Sequence, residues 1–158
     1  MKVNLIINGA SHLMDVAPGE TLLELLRREG YKSVKKGCGT GDCGACAVLL
    51  NGRAVNSCLV LAAKADGAEV KTIEGVLDGD SLHPVQQAFL DCGAVQCGYC
   101  TPSMVLTTID FLSRNPDPTD DDIRAAISGN LCRCTGYEKQ VEAIRQAAAA
   151  MRGGPNVA

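Results

Sequence analysis

Gly37-Cys38-Gly39-Thr40-Gly41-Asp42-Cys43-Gly44-Ala45-Cys46 places three cysteines and four glycines in ten residues. No helix or strand tolerates that glycine density, because each glycine adds backbone entropy and no packing surface. The stretch is a loop wrapped closely round something. A fourth cysteine, Cys58, follows beyond the turn signal Asn51-Gly52, and a second group, Cys97, Cys100, Cys132 and Cys134, lies downstream. Eight of the nine cysteines therefore fall into two quartets, one in each half of the 158-residue chain. Buried free thiols are the plain alternative, since cysteine is often a small core residue, but they do not explain two tight, glycine-punctuated groups. Metal or redox use does.

The first quartet reads Cys38-x4-Cys43-x2-Cys46-x11-Cys58. C-x4-C-x2-C…C is the plant-type ferredoxin spacing for a [2Fe–2S] cluster, in which each iron takes two thiolates. Glycines 37, 39, 41 and 44 let backbone N–H groups approach and hydrogen-bond to sulfur, which tunes the potential. The second quartet, Cys97-x2-Cys100-x31-Cys132-x-Cys134, is less specific. Zinc, a [2Fe–2S] or a [4Fe–4S] centre would all fit that count. Its placement between helices predicts one tetrathiolate site at the end of a helical bundle.

Outward from the first loop, the chain reads as a small mixed α+β domain over residues 1–74. Val3, Leu5 and Ile7 alternate as a strand, Asn8-Gly9 predicts a two-residue hairpin, and His12–Val16 returns with Leu13 on the apolar face. Thr21 and Glu24 form a capping box for a helix carrying Leu22, Leu23, Leu25 and Leu26, stopped at Gly30. Ala45–Leu50 and Arg53–Val55 flank the second Asn-Gly turn, and Glu69–Ile73 is a further strand. Residues 74–81 read as a linker. The second domain, 82–151, is helical: His83-Pro84 opens one helix, Thr101-Pro102 a second running to Arg114, and Thr119 caps a third above Asp120, Asp121 and Asp122. The fourth spans Glu138–Met151 with Val141, Ile144 and Ala148 inward. Residues 152–158 are expected to form a flexible tail.

Three stretches together carry a resemblance: Gly37–Cys46, Gly93-Ala-Val-Gln-Cys-Gly-Tyr-Cys-Thr-Pro102 and Gly129-Asn-Leu-Cys-Arg-Cys-Thr-Gly-Tyr137. In that order they resemble the small iron–sulfur subunit of the molybdenum hydroxylase (xanthine dehydrogenase/aldehyde oxidoreductase) family, over about residues 3–150. The resemblance implies an N-terminal plant-ferredoxin-like (β-grasp) domain and a C-terminal four-helix bundle, each holding one [2Fe–2S] cluster. It implies ligation by Cys38, Cys43, Cys46 and Cys58 and by Cys97, Cys100, Cys132 and Cys134. It further implies that Gln96 and Cys134 face the molybdopterin of a large partner subunit, and that electrons leave through the first cluster, usually to FAD on a medium subunit. The chain itself would carry electrons and no substrate chemistry. Two residues depart from the pattern: Ser103 stands where many members have Gly, and Cys92 where many have His. With both quartets complete, Cys92 is expected to be a small packed side chain.

Beside the ligands, Tyr99 and Tyr137 are expected to pack over the clusters, Asp42 to lower the potential or accept a loop N–H, and His83 only to cap its helix. Net charge is -3 with no basic run, which argues against nucleic acid. No apolar stretch is long enough to span a bilayer, and the strand-like N-terminus lacks a signal-peptide core, so a cytoplasmic location is expected. Aromatics make up only 3% of residues, with no Trp, and two halves this small need a bound centre to supplement their cores. Three other functions stay open: a free-standing two-cluster ferredoxin, the equivalent subunit of a CO dehydrogenase or hydroxybenzoyl-CoA reductase, and a zinc-stapled interaction module.

Overall fold

The two Asn-Gly turns set the strand register. In a computed structural model, which describes residues 1–77, 79 and 81–153, strand β1 (Lys2–Ile7) pairs antiparallel with β2 (Ala10–Asp15), and β3 (Ala47–Leu50) with β4 (Arg53–Asn56). Ile7 opposes Ala10 and Leu50 opposes Arg53, leaving two-residue turns. Both turn residues have positive φ, 51° and 84° at Asn8-Gly9 and 49° and 79° at Asn51-Gly52. That is the turn whose twist matches the strands. The asparagines do a second job. Asn8 Oδ1 accepts from Thr72 N at 2.9 Å, and Asn51 Oδ1 from Glu69 N at 2.9 Å. Each turn thereby grips one end of β5 (Glu69–Lys71), which fills the gap between the hairpins, parallel to β1 and antiparallel to β3. The sheet order is β2-β1-β5-β3-β4.

This register corrects one expectation. Val3 opposes Met14, so Leu13 falls opposite Asn4 on the outer face. Leu13 is 68% exposed and Met14 only 7%. With a period of two, a two-residue turn puts the even positions of β2 on the same face as the odd positions of β1.

Helix α1 (Leu22–Arg28) begins at the expected capping box: Glu24 N donates to Thr21 Oγ1 and Thr21 N to Glu24 Oε2. Its four leucines are buried under the sheet in a core that also contains Cys46 and Cys58. Cys58 sits in a short 3-10 turn, Ser57–Leu59, directly after β4.

The expected linker is not free. Ile73–Gly75 forms a 3-10 turn, and Val76 is buried with Leu49 and Leu106. A Cβ on Gly75 would lie 2.2 Å from Asn8 Oδ1, so only glycine allows this approach. Asp78 and Asp80 of that stretch lie outside the described residues.

Helices α2 (Pro84–Asp91), α3 (Thr101–Arg114), α4 (Asp120–Ile127) and α5 (Glu138–Gly153) make up the second half. His83 caps α2 as expected, its Nδ1 accepting from Val85 N at 3.2 Å, and Thr119 caps α4 through Asp122. Helix α2 packs on α5, and α4 bridges α3 and α5, around Phe89, Met104, Ile123, Ile127 and Ile144. Two residues of the expected tail are helical instead: Arg152 and Gly153 continue α5, and Arg152 Nη1 donates to Pro116 O. Residues 154–158 lie outside the described residues. Helix α3 also lies across β3 and β4, joining the halves. Among the described residues no helix is long and apolar enough to cross a membrane.

Met14→Ala should lower unfolding free energy by about 2–5 kcal/mol, whereas Leu13→Thr should stay within about 0.5 kcal/mol. Urea melts of the two variants check the register; the reverse order would contradict it.

Candidate metal centres

Each quartet is delivered by loops that ordered elements hold at both ends. The first three cysteines come from the loop between α1 and β3, and Cys58 from the turn after β4. Within the loop, Cys43 N and Thr40 N both donate to Cys38 Sγ at 3.4 Å, and Cys38 N donates to Cys43 Sγ at 3.3 Å. Gly37 is required here, since a Cβ would stand 2.6 Å from Cys43 Sγ. In the second quartet Cys97 lies before α3, Cys100 is the N-cap residue of α3, and Cys132 and Cys134 lie between α4 and α5. Thr135 Oγ1 donates to Cys132 Sγ at 3.0 Å.

Within each quartet the thiols hydrogen-bond two by two, with weaker electrostatic interactions across the pairs. The Cys58 thiol interacts with that of Cys46, the Cys100 thiol with that of Cys132, and the Cys97 thiol with that of Cys134, while Cys38 and Cys43 share the hydrogen bonds above. In each quartet one pair is inward and one outward: Cys46 and Cys58 are buried, Cys38 is exposed; Cys100 is buried, Cys97 and Cys134 are exposed. A mononuclear tetrahedral zinc site needs four donors round a single point. Paired sulfurs instead suit a diamond-shaped two-iron cluster, with one pair for each iron.

The thiol electrostatics follow this division at Cys38 and Cys58 but cross it in the second quartet, where the neighbouring Cys97 raises the exposed Cys134 while Cys132 is lowered. Donation from Thr40 and from the amides of Thr40 and Cys43 pulls the Cys38 pKa down to about 6. Burial, then the neighbouring Cys46 thiol, pushes Cys58 up to about 11, and burial beside Cys132 pushes Cys100 to about 12. The Tyr99 amide holds Cys97 below its ordinary value. Burial opposes ionisation of Cys132, but the Thr135 hydroxyl and nearby amides outweigh it. Buried neutral thiols become thiolates only against a compensating positive centre. The donor set therefore fits iron–sulfur clusters in chemistry as well as in geometry.

The two loops also touch each other. Leu131 N donates to Cys43 O at 2.9 Å, and buried Asn130 donates through Nδ2 to Gly44 O at 3.3 Å. A Cβ on Gly44 would lie 2.2 Å from Gly129 O, and its φ is +66°. Tyr99 OH donates to Lys36 O at 2.7 Å, a third tie between the loops.

Tyr99 and Tyr137 act through their hydroxyls as loop struts: Tyr137 OH accepts from Cys132 N at 2.7 Å and donates to Asn130 O at 3.2 Å. Asp42 accepts from the Thr40 hydroxyl at 2.5 Å, not from a loop N–H. Cys92 is half-buried, caps the end of α2 and packs on the second core; the charges facing it are Glu142, Lys139, Asp91 and Arg145. Gln96 is exposed beside exposed Cys97. Sequence reasoning missed Asn130 and Thr135; the only signal for the first was its place directly after Gly129.

The comparisons agree with this geometry. Residues 5–77 match the 2Fe-2S iron-sulfur cluster binding domain and residues 72–145 the [2Fe-2S] binding domain. The nicotinate dehydrogenase small FeS subunit of Eubacterium barkeri is 51% identical over 146 residues, covering 92% of this chain and 93% of that protein. The chain belongs to the iron–sulfur subunits of the molybdenum hydroxylase family. Among solved structures, quinoline 2-oxidoreductase from Pseudomonas putida 86 contains a chain 41% identical, with a TM-score of 0.92, covering 98% of this chain and 97% of that one. The aldehyde oxidoreductase of Desulfovibrio desulfuricans ATCC 27774 matches at 41% identity and TM-score 0.91 over 96% of this chain, but only 17% of its own. This iron–sulfur subunit is thus an electron-transfer component of an oxidoreductase with an α+β, ferredoxin-like fold.

Tyr137→Phe removes two hydrogen bonds and leaves the Cys132 amide unpaired, a loss of about 1–3 kcal/mol. Amide exchange at Cys132 should accelerate while exchange in β1 stays as in the parent protein.

Proposed function

We propose that the eight cysteines hold two [2Fe–2S] clusters, one in a β-grasp half (residues 1–74) and one in a four-helix bundle (residues 82–151). Cys38 and Cys43 would take one iron of the first cluster, Cys46 and Cys58 the other. Cys97 and Cys134 would take the outer iron of the second, Cys100 and Cys132 the inner. The observation that carries this reading is the pairing of the sulfurs. Each cluster, when bound, supplies one-electron redox chemistry. The protein's part is to fix the thiolates, to aim N–H and O–H donors at sulfur, and to shield one edge of each site from water, all of which set the potential.

The complex as a whole would oxidise its substrate on a large molybdopterin subunit, and this chain would carry the electrons outward. Gln96, Cys97 and Cys134 share the exposed edge of the second site, which suits a contact in which Gln96 hydrogen-bonds to the pterin and Cys134 forms the entry ligand. The first site, with Cys38 exposed, suits a handoff to FAD on a medium subunit. The relatives named for nicotinate and quinoline favour an N-heteroaromatic substrate for the complex. Exposed apolar Leu82, Leu90 and Leu131 favour a subunit over a free-standing carrier, which would keep a polar surface. A cytoplasmic location belongs to the same reading.

The isolated holo-subunit should contain four irons and no zinc per chain. Cys58→Ser should remove one EPR signal and Cys132→Ser the other, each retaining the signal of the remaining cluster, while Cys92→Ser keeps both. Zinc at either site, or loss of a cluster signal in the Cys92 variant, would overturn the assignment. In the assembled complex, Gln96→Ala should slow reduction of the second cluster by substrate with both EPR signals retained.

A further inference from the structure

The seam between the halves contains one buried carboxylate that the ligand sites do not use. Asp110, on α3, is 5% exposed. Its Oδ1 accepts from Arg114 Nε at 3.1 Å and its Oδ2 from Arg114 Nη2 at 3.2 Å, a two-pronged pair on the same helix. From the other half, Ala54 N donates to Oδ2 at 3.2 Å, and Arg53 Nε lies 3.1 Å from Oδ1. One carboxylate thus joins the start of β4 to the far end of α3.

Both of these elements run from the clasp to a cysteine. Asp110 lies ten residues along α3 from Cys100, about 15 Å at the helical rise. Ala54 lies on β4, which passes directly into the turn carrying Cys58. The rest of the seam here is apolar, formed by Leu49, Val76 and Leu106 with Ala54 and Ile109 packed against them. Apolar contact is non-directional and permits sliding. A buried carboxylate with donors from both halves resists it, because a shift breaks the Ala54 and Arg53 contacts, strands the Ala54 amide and leaves Asp110 only its same-helix Arg114 pair.

We infer that Asp110 is a positioning residue for electron transfer between the two clusters: the Arg53–Asp110–Arg114 clasp fixes the separation and orientation of the Cys58 and Cys100 sides. This rests on the ligand assignment proposed above. The hydrogen bonds at the loops fix the near end of the seam, and the clasp fixes the far end. With the clasp broken, α3 can pivot on β4 while each quartet stays intact.

The test uses the full chain with both clusters reduced. Two paramagnetic clusters at close range interact magnetically, and low-temperature EPR reads the interaction as a splitting that falls steeply with distance. Asp110→Ala should keep four irons and both signals but lose or broaden the splitting, and electron redistribution between the clusters should slow. Arg53→Met leaves Asp110 its Arg114 pair and the Ala54 amide, so the fold is kept; it should move the splitting in the same direction by less. A wild-type splitting in iron-replete Asp110→Ala overturns the inference. Should that variant fail to hold iron, a wild-type splitting in Arg53→Met overturns it instead. Failure of the ligand assignment looks different: the parent protein itself would then lack two cluster signals.

Discussion

The two halves meet backbone against backbone at Gly44 and Gly129. A side chain on Gly44 would collide with the Gly129 carbonyl at 2.2 Å, and the Leu131 and Asn130 hydrogen bonds follow from that proximity. Cys43 is next to Gly44, and Cys132 lies three positions after Gly129. Neither loop could present its cysteines so near the other if a larger residue stood at position 44. The Gly-rich loop is therefore fitted to two demands at once: wrapping its own sulfurs and docking against the loop of its neighbour.

The second constraint is electrostatic. Burial holds the inner thiols, Cys58 and Cys100, strongly to their neutral form, while donors hold the outer Cys38 and Cys97 towards the thiolate. An empty quartet would bury sulfurs that resist ionisation next to sulfurs that favour it. A bound iron centre would resolve the conflict by supplying positive charge to the thiolates. For halves with so few aromatics to fill a core, the same binding energy also supplements folding. Metal site and core are physically continuous, since Cys46 and Cys58 sit in the first core and Cys100 in the second.

Much of this was legible in the residues, for local reasons. Turn chemistry at Asn8-Gly9 and Asn51-Gly52, the Thr21 and Thr119 caps and the Leu22–Leu26 face act within a few residues, so their outcome can be read from a few residues. The first quartet was legible because its spacing is tied to one kind of loop. Leu13 was misread because face assignment on a short strand depends on the register, and the register follows from the turn length and not from hydrophobicity. The place of β5 between the hairpins was hidden for a related reason: it is held by asparagine side chains some forty sequence positions and more apart from one another, Asn8 and Asn51, whose turn role alone explained their presence.

The second quartet shows where local reading stops. Its count fits one zinc as well as two irons; the decision lies in which sulfurs pair, and that depends on how α3 and the loop before α5 meet. Tyr137 ties the Cys132 amide to the Asn130 carbonyl and Gln140, buried at the start of α5, holds the Ala94 carbonyl at 2.9 Å, contacts that help to set how the two cysteine-bearing loops meet. On the proposed assignment, the residues that set the sulfur pairing are thus not themselves ligands. They are an aromatic hydroxyl and an amide that set the loops, and nothing in the C-x2-C or C-x-C spacing announces them.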